Sequence, residues 1–324
     1  MLMQRLKALF APGDRSSVHG GDKRPSQAAT AAGTDEHSWQ SALMPDSAVA
    51  APNTQQTGQL QLRLHYQQLA RTGQPLPEFK DVAFRAYSQT GEDGILLYVF
   101  ALIGVTNRRS IELCCGEGIQ CNTANLIINH GWRGLLLDGD KQKLDKGRAF
   151  YRSCRDTCIS PPKLVDAWIT RENINDIIRY HNFAGSIDLL SLDMDGNDYW
   201  IWQALDVAEP RVVILEYQSG WGPEARVTQK YVEDFHTSSV VAPQGVPHNG
   251  ASLAAFVALA NEKGYRLVGC ERHCFNAVFI KRGIGEEYLP EVPVESCFDS
   301  PLVELQLLTL KEKGHLMPDM WEEV

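Results

Sequence analysis

Apolar positions along this chain switch period in a regular way. Short, mostly apolar runs with strand character fall at 110–113, 134–137, 163–168, 187–192 and 211–215. Segments with apolar residues at helical spacing follow each of the first four, at 119–129, 141–152, around Ile174, Ile177 and Ile178, and at 198–205. Another helical pattern, 252–263, puts Leu253, Phe256, Val257 and Ala260 on one face and stops at Gly264. Two more runs, 265–269 and 275–281, are joined too tightly for a crossover and predict an antiparallel hairpin. Strands alternating with helices predict an α/β protein with a doubly wound parallel sheet, closed here by that hairpin.

The flanks carry weaker patterns. Residues 1–57 are rich in Ala, Ser, Gly, Pro and Gln, too poor in large apolar groups to offset their ordering entropy, and predict a disordered leader. Its first ten residues are basic and amphipathic, with an apolar run too short for a signal peptide. Residues 58–78 predict a helix carrying Leu62, Tyr66 and Leu69, followed by a linker. The main domain is expected over 79–285, opening with a helix at 92–102 after a polar lead-in at 88–91. The remainder, 286–324, with a helix expected over 302–310, is expected to pack on the domain or on a partner subunit.

Composition narrows the partners. A net charge of −9 over 324 residues opposes nucleic acid, which needs clustered Lys and Arg. No stretch approaches the ~20 apolar residues that span a bilayer, so integral membrane association is not expected. Eight scattered cysteines, two of them adjacent at 114 and 115, suit a reduced cytoplasm better than a disulfide framework.

The chemistry gathers around 108–129, RRSIELCCGEGIQCNTANLIIN. A strand, a glycine turn and a helix N-terminus leave backbone N–H groups facing outward, a site for a negatively charged or ribose-bearing ligand. Glu112 ends the strand and points into the crevice where open α/β sheets bind ligands. Asp138 and Asp140 follow the second strand, and Asp166 lies near the end of the third. The fourth ends in Asp193-Met-Asp195-Gly-Asn197-Asp198. Asn197 or Asp198 suits a helix cap, whereas Asp193 and Asp195 are too many carboxylates for a cap and suit an acceptor-orienting or proton-accepting role. Asp193, Asp195 and Glu216 offer ligands for magnesium, although a metal-free site is favoured. His248 is a candidate base on the acceptor loop, and Trp221 and Tyr231 lie in the excursion 218–250, the natural acceptor lid.

The blocks SQTGEDGILLYVF, IELCCGEGIQCNTANLI, GLLLDGD, IDLLSLDMDGNDYWIW and GASLAAF…KGYRLVG…NAVFI occur in order over roughly 79–282. As a set they resemble the FkbM-type methyltransferases, which use S-adenosylmethionine. The resemblance implies a Rossmann-like doubly wound sheet of strand order 3-2-1-4-5-7-6 with strand 7 antiparallel. It also implies methyl transfer to a hydroxyl of a sugar, a glycan or another small metabolite. On that reading Glu112 receives the cofactor's methionine ammonium, Gly116 and Gly118 let the backbone approach it, Asp138 takes the ribose hydroxyls and Asp166 the adenine amino group. Asp193, Asp195 and Gly196 fall on the family's strand-4 acidic motif. Cys114 stands where such enzymes usually carry glycine, and its side chain narrows the loop.

Two other functions stay open. Gly116-x-Gly118-x-x-Cys121, with Asp138 downstream, approximates the dinucleotide fingerprint of a nicotinamide-dependent oxidoreductase. A catalytically inactive, methyltransferase-like binding module is kept in view by Cys114.

Overall fold

Strands that are apolar on both faces pair where helices cover both sides, and seven do so here. They are β1 (Arg109–Leu113), β2 (Arg133–Asp138), β3 (Lys163–Asp166), β4 (Gly185–Leu192), β5 (Ala208–Glu216), β6 (Tyr265–Cys270) and β7 (Asn276–Lys281). The computed structural model describes residues 54–236, 250–301, 303–304 and 320–324. The sheet order is β3-β2-β1-β4-β5-β7-β6, with β1 to β5 parallel and β7 antiparallel to both its neighbours. This is the expected Rossmann-like, doubly wound sheet of the class I methyltransferase type.

Alternation along the strands divides the core in two. Ile111, Leu113, Leu190, Leu192, Val213 and Leu215 face a cluster completed by α6 (Ile174–Tyr180), α7 (Asp198–Ala204) and α8 (Leu253–Glu262). Leu136, Leu189, Val212 and Ile214 face the opposite cluster. There they meet α1 (Thr54–Arg71), α2 (Phe79–Val82), α3 (Glu92–Ile103), α4 (Ala124–His130) and α5 (Lys141–Ser153). Ten consecutive residues of α3, Glu92–Ala101, are buried, which explains why its apolar pattern runs nearly all round.

Three boundaries differ from expectation. Residues 54–57, assigned to the leader by composition, belong to α1, while 1–53 lie outside the described residues. Residues 119–123 are not helical, because a buried side chain described below holds the backbone of 122 and 123. Of the helix expected over 302–310, residues 303 and 304 are helical and the others lie outside the described residues.

The segment after the hairpin returns to the domain. Arg266, 2% exposed, donates to the carbonyls of Lys281, Ile284 and Leu289, and Cys297 and Val303 enter the core. A separate antiparallel ribbon joins Val227–Gln229 to Trp321–Glu323. Among the described residues, no helix is long and apolar enough to cross a membrane.

One polar tie holds the amino edge of the sheet. Asp188, fully buried on β4, accepts from the amides of Thr106, Asn107 and Arg108 at 2.7–3.0 Å and pairs with Arg211 at 3.0 Å. Asp188→Ala strands these donors and the guanidinium, and is expected to cost about 3–5 kcal/mol. Urea unfolding measures it; a loss below about 1 kcal/mol would show that water replaces the carboxylate.

Candidate functional site

Parallel register aligns the strand ends. Leu113, Leu192 and Leu215 are neighbours across the sheet, so Cys114, Asp193 and Glu216 follow side by side, and Glu216 faces Asn276 in the antiparallel pair. Above this row opens a cleft of about 280 Å³, lined also by Thr90, Glu92, Glu112, Gly116 and Asn122.

Glu112 does not present a spare carboxylate to the cleft it lines. It is 4% exposed and accepts from the amides of Asn122 and Thr123, both at 2.9 Å, from the Thr123 hydroxyl, and from the Ser191 hydroxyl at 3.2 Å. Burial raises its pKa, against these hydrogen bonds. The amides expected to face outward toward an anion are therefore occupied by the chain's own carboxylate. Wrapping 119–123 around that carboxylate also delays α4 until Ala124.

Asp138 performs a similar task one strand over. Its Oδ2 accepts from Gly116 N at 2.7 Å and its Oδ1 from Asp140 N at 2.8 Å, fastening the glycine loop to β2. Asp140 caps α5, accepting from the amides of Gln142 and Lys143. The two glycines divide their work. Gly116, at φ +61°, borders open space and lines the cleft. Gly118, at φ +68°, has no room for a side chain: a Cβ would lie 2.9 Å from Leu136, and its carbonyl accepts from the Tyr151 hydroxyl. Gly118 thus meets packing neighbours and is not among the residues that line the cleft.

Cys114 holds the left-handed conformation of a glycine, φ +58°, despite its side chain. It borders both the main cleft and a smaller pocket of about 60 Å³ walled by Trp168, Met194 and Phe235. Burial, then the charges of Asp138, Asp198, Asp193 and Asp195, raises the thiol's pKa well above the ordinary range, so it stays protonated and is no nucleophile. Asp166 pairs with Asp138 in register, but β3 is the edge strand; the side chain is exposed and lines neither pocket.

Beyond β4 the turn is shaped by Asp198, whose carboxylate accepts from Met194 N at 2.8 Å and Gly196 N at 3.0 Å. It binds the turn instead of capping α7, and burial pushes it up to about 6. Asn197 makes no cap bond either; it donates to the Val232 carbonyl and accepts from Gln229. The turn brings Asp193 and Asp195 to Glu216, with carboxylate oxygens of all three within 4.8 Å of one another. Asp195 is left-handed, φ +56°.

The lid aromatics are engaged elsewhere. Trp221 packs edge-on against Trp321, and Tyr231 lies under Arg171, 4.2 Å from guanidinium to ring centroid, and donates to Glu172. His248 lies outside the described residues. The eight cysteines are free thiols.

Among the cleft residues that escaped the sequence reading, three form one polar group. Glu92, 1% exposed, accepts from the amides of Thr90 and Gly91 and from Asn276 Nδ2 at 2.8 Å. Thr90 lies beside it, and Asn276 opens β7. The signal for Glu92 was an acid pair, Glu92-Asp93, opening an otherwise apolar helix.

No family model matches this chain, and none of the curated proteins matches it. Among solved structures it is similar to the N-terminal domain of EvdMO1 with SAH bound, at 16% identity over 68% of this chain and 96% of that one, TM-score 0.39. Magnesium protoporphyrin IX methyltransferase from Synechocystis PCC 6803 with bound SAM is 8% identical over 75% and 89%, TM-score 0.36. The CcbJ methyltransferase from Streptomyces caelestis is 16% identical over 63% and 96%, TM-score 0.36. Likeness at this level carries no argument, and the fold rests on the strand order above.

Glu271, 1% exposed behind the cleft, is pushed up to about 7 by burial and by the charge of Glu92. A raised folded-state pKa contributes stability at low pH that is lost as pH rises toward 7. The urea midpoint of the native chain is therefore expected to fall relative to that of Glu271→Gln between pH 5 and pH 8. Parallel pH profiles would refute the assignment.

Proposed function

We propose that this chain is an S-adenosylmethionine-dependent methyltransferase of the FkbM type, acting on a hydroxyl of a sugar, a glycan or another small metabolite. The observation that carries the reading is Glu112 filling the anion position ahead of α4. A dinucleotide lays its pyrophosphate on such amides, and here they are taken. The cleft is also acidic, with Glu92, Glu112, Glu117, Asp193 and Glu216 against Lys143. That lining disfavours a diphosphate and suits a ligand bearing ammonium and sulfonium charges. The oxidoreductase reading loses its physical basis on both counts.

The residues present fit such a cofactor. Gly116 leaves open space beside the backbone, and Asp138, 8% exposed and lining neither pocket, fastens the glycine loop and keeps two of about four acceptor positions for a ribose hydroxyl that reaches it. Bound there, the cofactor supplies an electrophilic methyl group on a positively charged sulfur. The chain's part is to hold the acceptor in line and receive its proton. Asp193 and Asp195, at the carboxyl end of β4, are the groups assigned to orient the acceptor hydroxyl or take that proton, with His248 as an alternative base.

The inactive-module reading keeps one observation, Cys114 in a glycine conformation between the two pockets. Titration calorimetry with S-adenosylmethionine, S-adenosylhomocysteine and NAD separates the three. Micromolar binding of the two sulfur compounds and silence with NAD are expected, with a loss of tenfold or more (about 1.4 kcal/mol) in Asp138→Ala. Binding of NAD alone would overturn the proposal.

Cys114→Gly removes both the left-handed strain, about 1–2 kcal/mol, and the dividing side chain. Tighter binding of S-adenosylmethionine is expected in this variant. Unchanged affinity would mean that Cys114 does not narrow the site, and binding gained only in the variant would favour the inactive module.

A further inference from the structure

Asp193, Asp195 and Glu216 are the one group of three such side chains, among the described residues, whose ligating atoms lie within 4.8 Å of one another. All three are half-buried, and repulsion between carboxylates grows as water is withdrawn. An acidic cluster alone proves little. A second feature of the same cleft points to what occupies it.

Asn276 is 8% exposed, and its Oδ1 has no hydrogen-bond partner. Its orientation is fixed by chemistry: Nδ2 donates to Glu92 Oε1 at 2.8 Å, so the amide oxygen faces the other way. Asn276 stands directly opposite Glu216 in the β5–β7 register, so both side chains leave the sheet on one face. It lines the cleft together with Asp193 and Glu216. A buried carbonyl oxygen without a donor is destabilising, and a cation is the partner that satisfies an acceptor lining the same cleft as Asp193 and Glu216.

We infer that Asp193, Asp195 and Glu216 bind one divalent cation, with the Asn276 side-chain carbonyl as a fourth ligand. An all-oxygen set of three carboxylates and an amide selects a hard ion, Mg²⁺ or Mn²⁺, over zinc or copper, which favour nitrogen and sulfur. The cation's role rests on the methyltransferase reading: it holds the acceptor hydroxyl at the ends of β4 and β5. Its binding does not depend on that reading.

Electron paramagnetic resonance of Mn²⁺ titrated into the chelator-stripped full chain tests the site directly. One Mn²⁺ per chain is expected, displaced by Mg²⁺ and weakened at least tenfold in both Asp195→Asn and Glu216→Gln. Asn276→Ala is expected to weaken it less, and circular dichroism checks that each variant is folded. Failure of the folded native chain to bind Mn²⁺ at millimolar concentration would overturn the inference, as would equal binding in the folded carboxylate variants. Should a carboxylate variant not fold, Asp193→Asn replaces it. Calorimetry with S-adenosylmethionine on the same samples keeps the two readings apart. Cofactor binding without Mn²⁺ sinks the cation site alone, and Mn²⁺ binding without the cofactor sinks the methyltransferase alone.

Discussion

A carboxylate enclosed at the end of the first strand organises the glycine-loop side of the cleft. Burying Glu112 is tolerable only if donors surround it, and they come from two places in the sequence. Its own loop supplies the amides of Asn122 and Thr123, the Thr123 side chain supplies a hydroxyl, and β4 supplies Ser191, itself held by Asn122 at 3.1 Å. The network sets where α4 begins, folds 114–123 back over β1 and binds that loop to β4. It also determines which ligands the crevice can accept, because a chain that has placed its own anion on a helix N-terminus has no second one to offer a phosphate.

Around this anchor, polar side chains hold turns more often than they face solvent. Asp138 fastens the glycine loop, and Asp198 bends the turn after β4. Asn197 reaches out to the segment after β5. That segment then crosses toward β3: the Trp168 indole donates to the Glu233 carbonyl and its ring lies 4.6 Å from that of His236. A side chain at Gly196 would collide with the Phe235 ring at 2.2 Å. The excursion thus covers the flank of the cleft near β3, which accounts for Tyr231 pairing with Arg171 and not standing free as a platform for a sugar.

The sheet was legible because each strand is short, apolar and followed by a clear change of period; the tight hairpin gave the antiparallel strand. The candidate site was legible by residue type but not by direction. Glu112 and Asp138 were found as acids at strand ends, yet nothing in the sequence told that backbone amides would hold them. Gly116 and Gly118 look alike in the chain, and only packing against Leu136 separates them. Asp166 was read near the end of the third strand, with its role implied by the resemblance, but an edge strand leaves that side chain in water. Asn276 and Glu92 were missed because their contact spans 184 positions, and no local pattern carries information over that distance.

The ribbon between Val227–Gln229 and Trp321–Glu323 has a consequence for motion. It is a ladder of three residue pairs between segments far apart in the chain, and closing a long loop costs conformational entropy. Gln229, at one end of it, accepts from the Trp200 indole and donates to Asn197, beside the acidic turn. The central sheet shares its strands with two buried cores, whereas the ribbon is tied to the domain on its Val227–Gln229 side, where the backbone bonds to Gly250 and Ser252, and its Trp321–Glu323 strand lies outermost. Sub-global opening is therefore expected to begin at the Trp321–Glu323 strand of the ribbon. The wall of the cleft beside the acidic turn can then loosen and reclose while the loop around Glu112 stays assembled, so the two sides of the cleft move independently.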